Sequence, residues 1–221
     1  MRNGVIATAA VLGLTAGVTG PAIASTGHAG MPDQPLTRAA SGPARGSVTL
    51  IDTHTNTRGA TVPVGKLATQ IALTPAGTTA YVLNTWSNSV SMISTGSGVT
   101  VSRTIRAGRY PLGIAMTPSG NRVFITRHQN YGTGSVLPVK VSTGVAGQPV
   151  SPPSQQGYIS DAIAVAPDGR EVYAAEDGLT SAWEGLLPIR TAGDRRGSPI
   201  KIGQFPYGIE DLTFTPDGKT L

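Results

Sequence analysis

Ile71-Ala72-Leu73-Thr74-Pro75-Ala76-Gly77 returns three more times along the chain, and that return decides the fold. It reads Ile-Ala-Met-Thr-Pro-Ser-Gly from Ile114 to Gly120, Ile-Ala-Val-Ala-Pro-Asp-Gly from Ile163 to Gly169, and Leu-Thr-Phe-Thr-Pro-Asp-Gly from Leu212 to Gly218. The marker prolines Pro75, Pro118, Pro167 and Pro216 stand 43, 49 and 49 residues apart. In each phrase a short apolar run meets a Pro-x-Gly turn, where proline fixes φ and glycine enters the left-handed region that most residues resist. A β-branched and aromatic run follows at Ala80–Leu83, Val123–Thr126 and Glu171–Ala174, which predicts a hairpin. Third strands are expected at Ser89–Ser94, Ser135–Val141 and Gly185–Thr191, and fourth strands at Val99–Arg106, Val145–Val150 and Ser198–Ile202. A period in the forties built from short strands predicts an all-β chain, a β-propeller of four-stranded antiparallel blades. One such blade cannot bury both its faces, so neighbours must stack. Long apolar patterns of helical period are absent beyond the first twenty-odd residues.

Counted on this frame, the chain holds three complete blades, at about 66–108, 109–157 and 158–206, with partial units at 46–65 and 207–221. Leu221 falls where the repeat begins its second strand, so the expectation is a fragment of a larger ring. A bolder alternative joins Gly208–Leu221 to Val48–Gly65 in one composite blade. That ring would lack most of a strand and leave unpaired edges, through which copies of the chain would self-associate.

The segment Val48-Thr49-Leu50-Ile51-Asp52-Thr53-His54-Thr55-Asn56-Thr57 resembles the third strand and turn of YVTN-type β-propeller repeats, and Pro111–Pro118 resembles their first strand. The family's namesake phrase stands here as Tyr81-Val82-Leu83-Asn84, and has drifted to Phe124-Ile125-Thr126-Arg127 and Tyr173-Ala174-Ala175-Glu176. Leu137-Pro138-Val139, Leu187-Pro188-Ile189 and Gly147-Gln148-Pro149-Val150 look like the proline-bearing blades of actinobacterial members. The resemblance covers Gly46 to Leu221 and rests on strand and turn residues, so it speaks for fold and weakly for function. It implies a ring of about seven blades and a distant likeness to lactonase-type propellers.

The first 24 residues have one early charge, Arg2, a mostly apolar stretch from Val5 to Val18, and the small-residue site Ala22-Ile23-Ala24 before Ser25. That is the pattern of a secretory signal peptide, and the apolar stretch is too short for a comfortable membrane span. The expected location is secreted, extracellular and open to cell-wall association, with no transmembrane segment after cleavage. Residues 25–45 are rich in Gly, Ala, Pro, Ser and Thr and read as a flexible linker. The chain has no cysteine, which removes disulfides, thiolate nucleophiles, cysteine-ligated metals and haem attachment.

Charge is uneven. Residues 25–150 carry ten Lys and Arg against Asp33 and Asp52, while residues 151–221 carry six against ten acids. Solvated blade edges of mixed sign are the bland reading; the sharper one is a basic sector of Arg103, Arg106, Arg109, Arg122 and Arg127 that attracts anionic cell-wall polymers or nucleic acid. Stacking aromatics are sparse beside it, Tyr110 and Tyr131 being the near ones, which argues against a nucleic-acid partner.

In a four-stranded blade the entry to strand one and the exit of strand two share a face, and converging loops there make the usual binding mouth. The entries supply Gln70, Tyr110, Tyr158, Asp161, Tyr207, Glu210 and Asp211; the exits supply Asn84, Trp86, Arg127, His128, Glu176 and Asp177. Tyr110, Arg127, His128, Tyr158, Asp161, Glu176, Tyr207 and Glu210 are the ligand-binding candidates. Asp161, Glu176, Glu210 and Asp211 form a weak candidate set for a divalent cation such as Ca²⁺, since such ions take hard oxygen ligands. No spacing motif backs them, and exposed loop carboxylates are the blander reading. His28 lies in the linker and His54 in a turn of the opposite face, so His128 alone is placed as a base, and no Gly-x-Ser-x-Gly elbow accompanies it.

Two functions follow. One is a scaffold or interaction propeller that binds a protein, polymer or small ligand through its mouth loops, with no cofactor. The other is a lactonase-like hydrolase working through acidic mouth residues and a divalent ion. The missing nucleophile and metal motifs favour binding.

Overall fold

The computed structural model describes residues 45–96, 98–130, 133–153, 157–178, 184–203 and 208–221. The segments expected to be a signal peptide and, nearly all of it, a linker lie outside the described residues, as do Tyr131, Tyr207 and the side chain of Tyr158. The described residues form antiparallel sheets and no helix.

Four sheets follow one another in chain order. The first pairs β1 (Arg45–Asp52) with β2 (Thr57–Lys66). The second is a meander of β3 (Ala68–Leu73), β4 (Thr79–Asn84), β5 (Ser89–Ser94) and β6 (Thr100–Arg106). The third holds β7 (Pro111–Met116), β8 (Arg122–Asn130) and β9 (Thr133–Lys140). The fourth holds β10 (Gly157–Val165), β11 (Glu171–Gly178) and β12 (Glu184–Arg190), with β13 (Arg195–Arg196) and β14 (Ile200–Gly203) both paired to β12.

The expected third strands appear almost residue for residue, but the fourth strands of the last two sheets do not. Val145–Val150 is no continuous strand; it meets β9 at two isolated bridges, Val139 to Ala146 and Val136 to Val150. The expected strand at Ser198–Ile202 is broken into β13 and β14. Proline explains both. The carbonyls of Pro138 and Pro188 accept from the N–H of Gly147 and Gly197 at 2.8 Å. In an antiparallel ladder a residue's N–H points to the same neighbour as its C=O. Each proline therefore withholds the donor its outer neighbour needs. Met92 occupies the equivalent place in the second sheet, and β6 runs opposite it from Thr100 to Arg106.

The period-two pattern of the second strands hands alternate side chains to alternate neighbours. Val82 of β4 packs with Val48 and Val64 of the first sheet, while Tyr81 and Leu83 face Val123, Ile125, Leu137 and Val139 of the third. Phe124 of β8 points the other way, onto Ile159, Val172, Leu187 and Ile189 of the fourth. Beyond it, Ala175 and Tyr173 meet Ile209 and Leu212. Tyr81, Phe124, Leu83 and Ile125 are essentially inaccessible. At about 2 kcal/mol for each fully buried large apolar side chain, these inter-sheet layers are the main source of cohesion.

The four Pro-x-Gly phrases fold alike. Gly77, Gly120, Gly169 and Gly218 each donate N–H to the carbonyl three residues back, at 2.7 to 2.8 Å, with φ from 67° to 72°. The turns also stack: a Cβ on Gly120 would lie 2.7 Å from Pro75, one on Gly169 3.4 Å from Pro118, and one on Gly218 3.3 Å from Pro167. Each glycine thus lies against the proline of the preceding repeat. Leu212–Phe214 keeps the turn but forms no ladder, with Lys219–Leu221 alone following it.

Candidate functional site

The rim opposite these turns is where strand-one entries meet strand-two exits. Ala68 sits across from Asn84, Pro111 from Arg127, and Ile159 from Glu176. All three first strands slip register near their entry, between Ala68 and Gln70, Pro111 and Ile114, and Ile159 and Ile163. Such bulges free backbone groups from the ladder and re-aim side chains.

Polar side chains take up those groups and join sheet to sheet. Gln70 of β3 accepts from the N–H of Ile114 in β7 at 3.0 Å. The Thr85 hydroxyl bonds to the Pro111 carbonyl at 2.8 Å, and Gly113 N–H donates to Thr126 at 2.8 Å. Gly113 leaves no room for a Cβ because the Asp161 carbonyl of the next sheet lies against it. The Ser160 hydroxyl reaches the Ile209 carbonyl at 3.3 Å.

Three consecutive rim segments are tied into one surface. Lys66 N–H donates to the Ser87 hydroxyl at 2.7 Å, and Trp86 N–H donates to the Lys66 carbonyl at 3.2 Å. On the other side of that loop, Asn88 accepts from the N–H of Tyr110 at 2.9 Å, and His128 N–H donates to the Tyr110 carbonyl at 3.1 Å. Tyr110 sits at φ 41°, in the left-handed region where a bulky side chain is strained. The side chains of Trp86 and Tyr110 are 51 % and 46 % exposed on this surface, with the guanidinium of Arg109 6.0 Å from the tyrosine ring.

The sequence candidates have separate fates. Tyr110 is exposed on the rim, and half-buried His128 is joined to it through the backbone. Arg127 is half-buried; its Nε donates to Ser135 at 3.0 Å, its Nη1 reaches the Ala107 carbonyl at 3.3 Å, and burial lowers its pKa from the ordinary value. Glu176 is buried, whereas Asp161, Glu210 and Asp211 are exposed. Asp211 accepts from the N–H of Leu212 at 2.8 Å. The described residues contain no group of three His or carboxylate side chains within reach of one ion, so these four acids are not gathered together there.

The basic sector is also divided. Arg122 grips both carboxylate oxygens of Asp194 at 2.5 and 2.6 Å, lies 5.0 Å from the Phe124 ring, and donates to the Thr191 carbonyl. Arg103 donates to the Thr143 carbonyl. Each thereby clamps its own sheet to the three-to-four turn of the next. Lys66, Arg106 and Arg109 stay exposed.

Sequence reasoning missed the bonding roles of Gln70, Thr85, Asn88, Thr126 and Ser160, because single polar residues in strand ends carry no motif. It also missed a cleft of about 560 Å³ on the opposite, turn-bearing side, walled by Pro167, Arg170, Glu171, Tyr173, Arg190 and Phe214. There the Tyr173 hydroxyl donates to Glu171 at 2.6 Å, which, with some burial, raises its pKa to about 12.

No protein-family model and no curated protein matches the chain. Solved structures do. Hydrazine synthase of Kuenenia stuttgartiensis superposes with a TM-score of 0.69 at 24 % identity, over 78 % of this chain and 47 % of that one. Dihydro-heme d1 dehydrogenase NirN, in complex with DHE, gives 0.60 at 18 %, over 78 % and 36 %. A functionally unknown protein from Desulfotomaculum acetoxidans DSM 771 gives 0.55 at 18 %, over 77 % and 51 %. The first two are β-propeller proteins. The fold here is a β-propeller. The propeller segment spans about half or less of the length of each of these neighbours.

Proposed function

We propose that this β-propeller is an exported binding module, holding a protein or polymer partner on its rim without covalent chemistry. Its repeats are of the YVTN type, its sheets belong to a ring of about seven blades, and Met1–Ala24 directs it out of the cell, where it associates with the wall. One observation carries the reading. The polar side chains at the strand entries are committed to fixing the backbone of neighbouring sheets, and between them Trp86 and Tyr110 stand half exposed. A rigid rim presenting aromatic rings suits recognition, because the rings lose little freedom on binding.

The test is retention of the purified chain on cell-wall sacculi of the producing organism. Trp86→Ser should release it, while Arg58→Ser, on the first sheet's β2, should not. Retention that ignores both changes would overturn the rim as the binding face. A chelator should leave the melting temperature unchanged, since a metal held by the native state would raise it by mass action.

A further inference from the structure

We infer that the rim surface around Trp86, Arg109 and Tyr110 recognises an anionic glycan, a sugar polymer bearing carboxylate or phosphate groups. This rests on the binding-module reading and names the chemistry of its partner. The first observation is one of charge. From Thr53 to Ser160 the chain has no Asp or Glu, so the second and third sheets carry no side-chain carboxylate. Arg58 and Lys140 aside, the cations in that stretch divide into two sets. Arg103, Arg122 and Arg127 donate to Thr143, to Asp194 and Thr191, and to Ser135 and Ala107. Lys66, Arg106 and Arg109 are exposed, and no ion pair or side-chain hydrogen bond among the described residues engages them.

The second observation is their placement. Lys66 is bonded through its backbone to Ser87 and Trp86. Arg106 closes β6 opposite Ser89, and Ala107 N–H donates to the Asn88 carbonyl at 3.0 Å. Arg109 sits by the Tyr110 ring, and Tyr110 N–H is held by Asn88. The Trp86–Asn88 loop is therefore bonded on one flank to Lys66 and on the other to the Ala107–Tyr110 segment. Three exposed cations and two half-exposed rings thus stand on segments bonded to one another.

The chemistry of a partner follows. Three like charges repel one another, and the second and third sheets offer no carboxylate to relieve them; an anionic partner does. Aromatic faces in turn take the apolar C–H faces of a sugar ring, and their burial adds to the attraction. A neutral glycan would leave the cations unanswered, and a simple inorganic anion would leave the rings exposed. The strained φ of Tyr110 belongs with this reading, because non-glycine residues held in the left-handed region cluster at ligand-holding sites. Export through the Met1–Ala24 leader would bring the rim to such polymers.

The experiment uses the full chain and polygalacturonate as probe, with fully methyl-esterified polygalacturonate and single-stranded DNA as comparators. Expected is binding to polygalacturonate that weakens as salt rises, falls about tenfold in Trp86→Ala, and has its salt slope reduced by about one in Arg109→Ala. Esterification should lower affinity by about tenfold or more, since it removes the charge and keeps the sugar. Both substituted residues are exposed, and unchanged melting temperatures would show the variants folded. No binding to polygalacturonate overturns the inference, as does equal affinity for the esterified polymer. Equal or tighter binding of single-stranded DNA overturns it in favour of a nucleic-acid surface. Where polygalacturonate fails but Trp86→Ser still releases the chain from sacculi, the glycan inference falls and the binding module stands. Where neither responds, both fall.

Discussion

The glycines of the repeated turn separate two demands that one residue meets. Gly77 and Gly120 both sit near φ 68°, at 67° and 69°. A Cβ on Gly77 would touch nothing within 4 Å, whereas one on Gly120 would press to 2.7 Å from Pro75. Gly77→Ala should therefore cost only the left-handed strain, about 1 kcal/mol, and Gly120→Ala about 3 kcal/mol once overpacking is added. Chemical denaturation of the two variants checks this, and equal losses would refute the stacked-turn account. Tyr173 offers a second residue-scale test. Its bond to Glu171, and then burial, raise the phenol from 10.0 to about 12. A raised folded pKa favours the protonated fold, so this contribution is complete below pH 10 and disappears as pH climbs through about 12. Phenolate absorbance, taken as a difference against Tyr173→Phe, should show Glu171→Ala returning the tyrosine toward 10.0. Tyr81, raised by burial, should not move.

At the scale of the strand, most of the fold was written in local chemistry. The Pro-x-Gly turns, the β-branched second strands and the Ser89–Ser94 third strand all follow from residues that act on their own backbone. The broken fourth strands followed from residues in a different strand: Pro138 and Pro188 act on their neighbours, so composition within 145–150 or 198–202 could not announce the break. The rim was legible to the same limit. Strand-one entries and strand-two exits do face each other, as hairpin geometry requires. Which side chains are committed inward was not legible. Arg127 and Arg122 look like Arg106 and Arg109 in sequence; the strand register that brings Ser135 to the first and the packing of the next sheet's turn that brings Asp194 to the second tell them apart. The cleft beside Tyr173 was invisible for a related reason, since its walls come from three separate segments of the chain.

At the scale of the whole molecule, stability is shared between neighbours rather than held in one centre. Each apolar layer belongs to two adjoining units: first and second sheets, second and third, third and fourth, fourth and the 208–221 segment. The second and third sheets are clamped on both faces, and Arg122 adds a bond from the third to the fourth. The β1–β2 pair contributes Val48 and Val64 to a single layer, and the 208–221 segment contributes Ile209 and Leu212 to another. In such arrays local opening costs roughly the interfaces it breaks, so units held on one face open first. Native-state hydrogen exchange on this 221-residue chain should find the amides of β4 and β8 slowest. Those of β1 and β2 should exchange about tenfold faster or more. The rim makes a further demand on this ordering. Trp86 lies on the β4–β5 loop of the second sheet and Tyr110 on the loop that enters the third, both sheets packed on two faces, so a ligand there meets a surface already fixed and pays little to order it. Uniform exchange from β1 through β12 would mean that the sheets open as one cooperative body, and the rim's rigidity would then have to come from the whole array of sheets rather than from the doubly packed second and third.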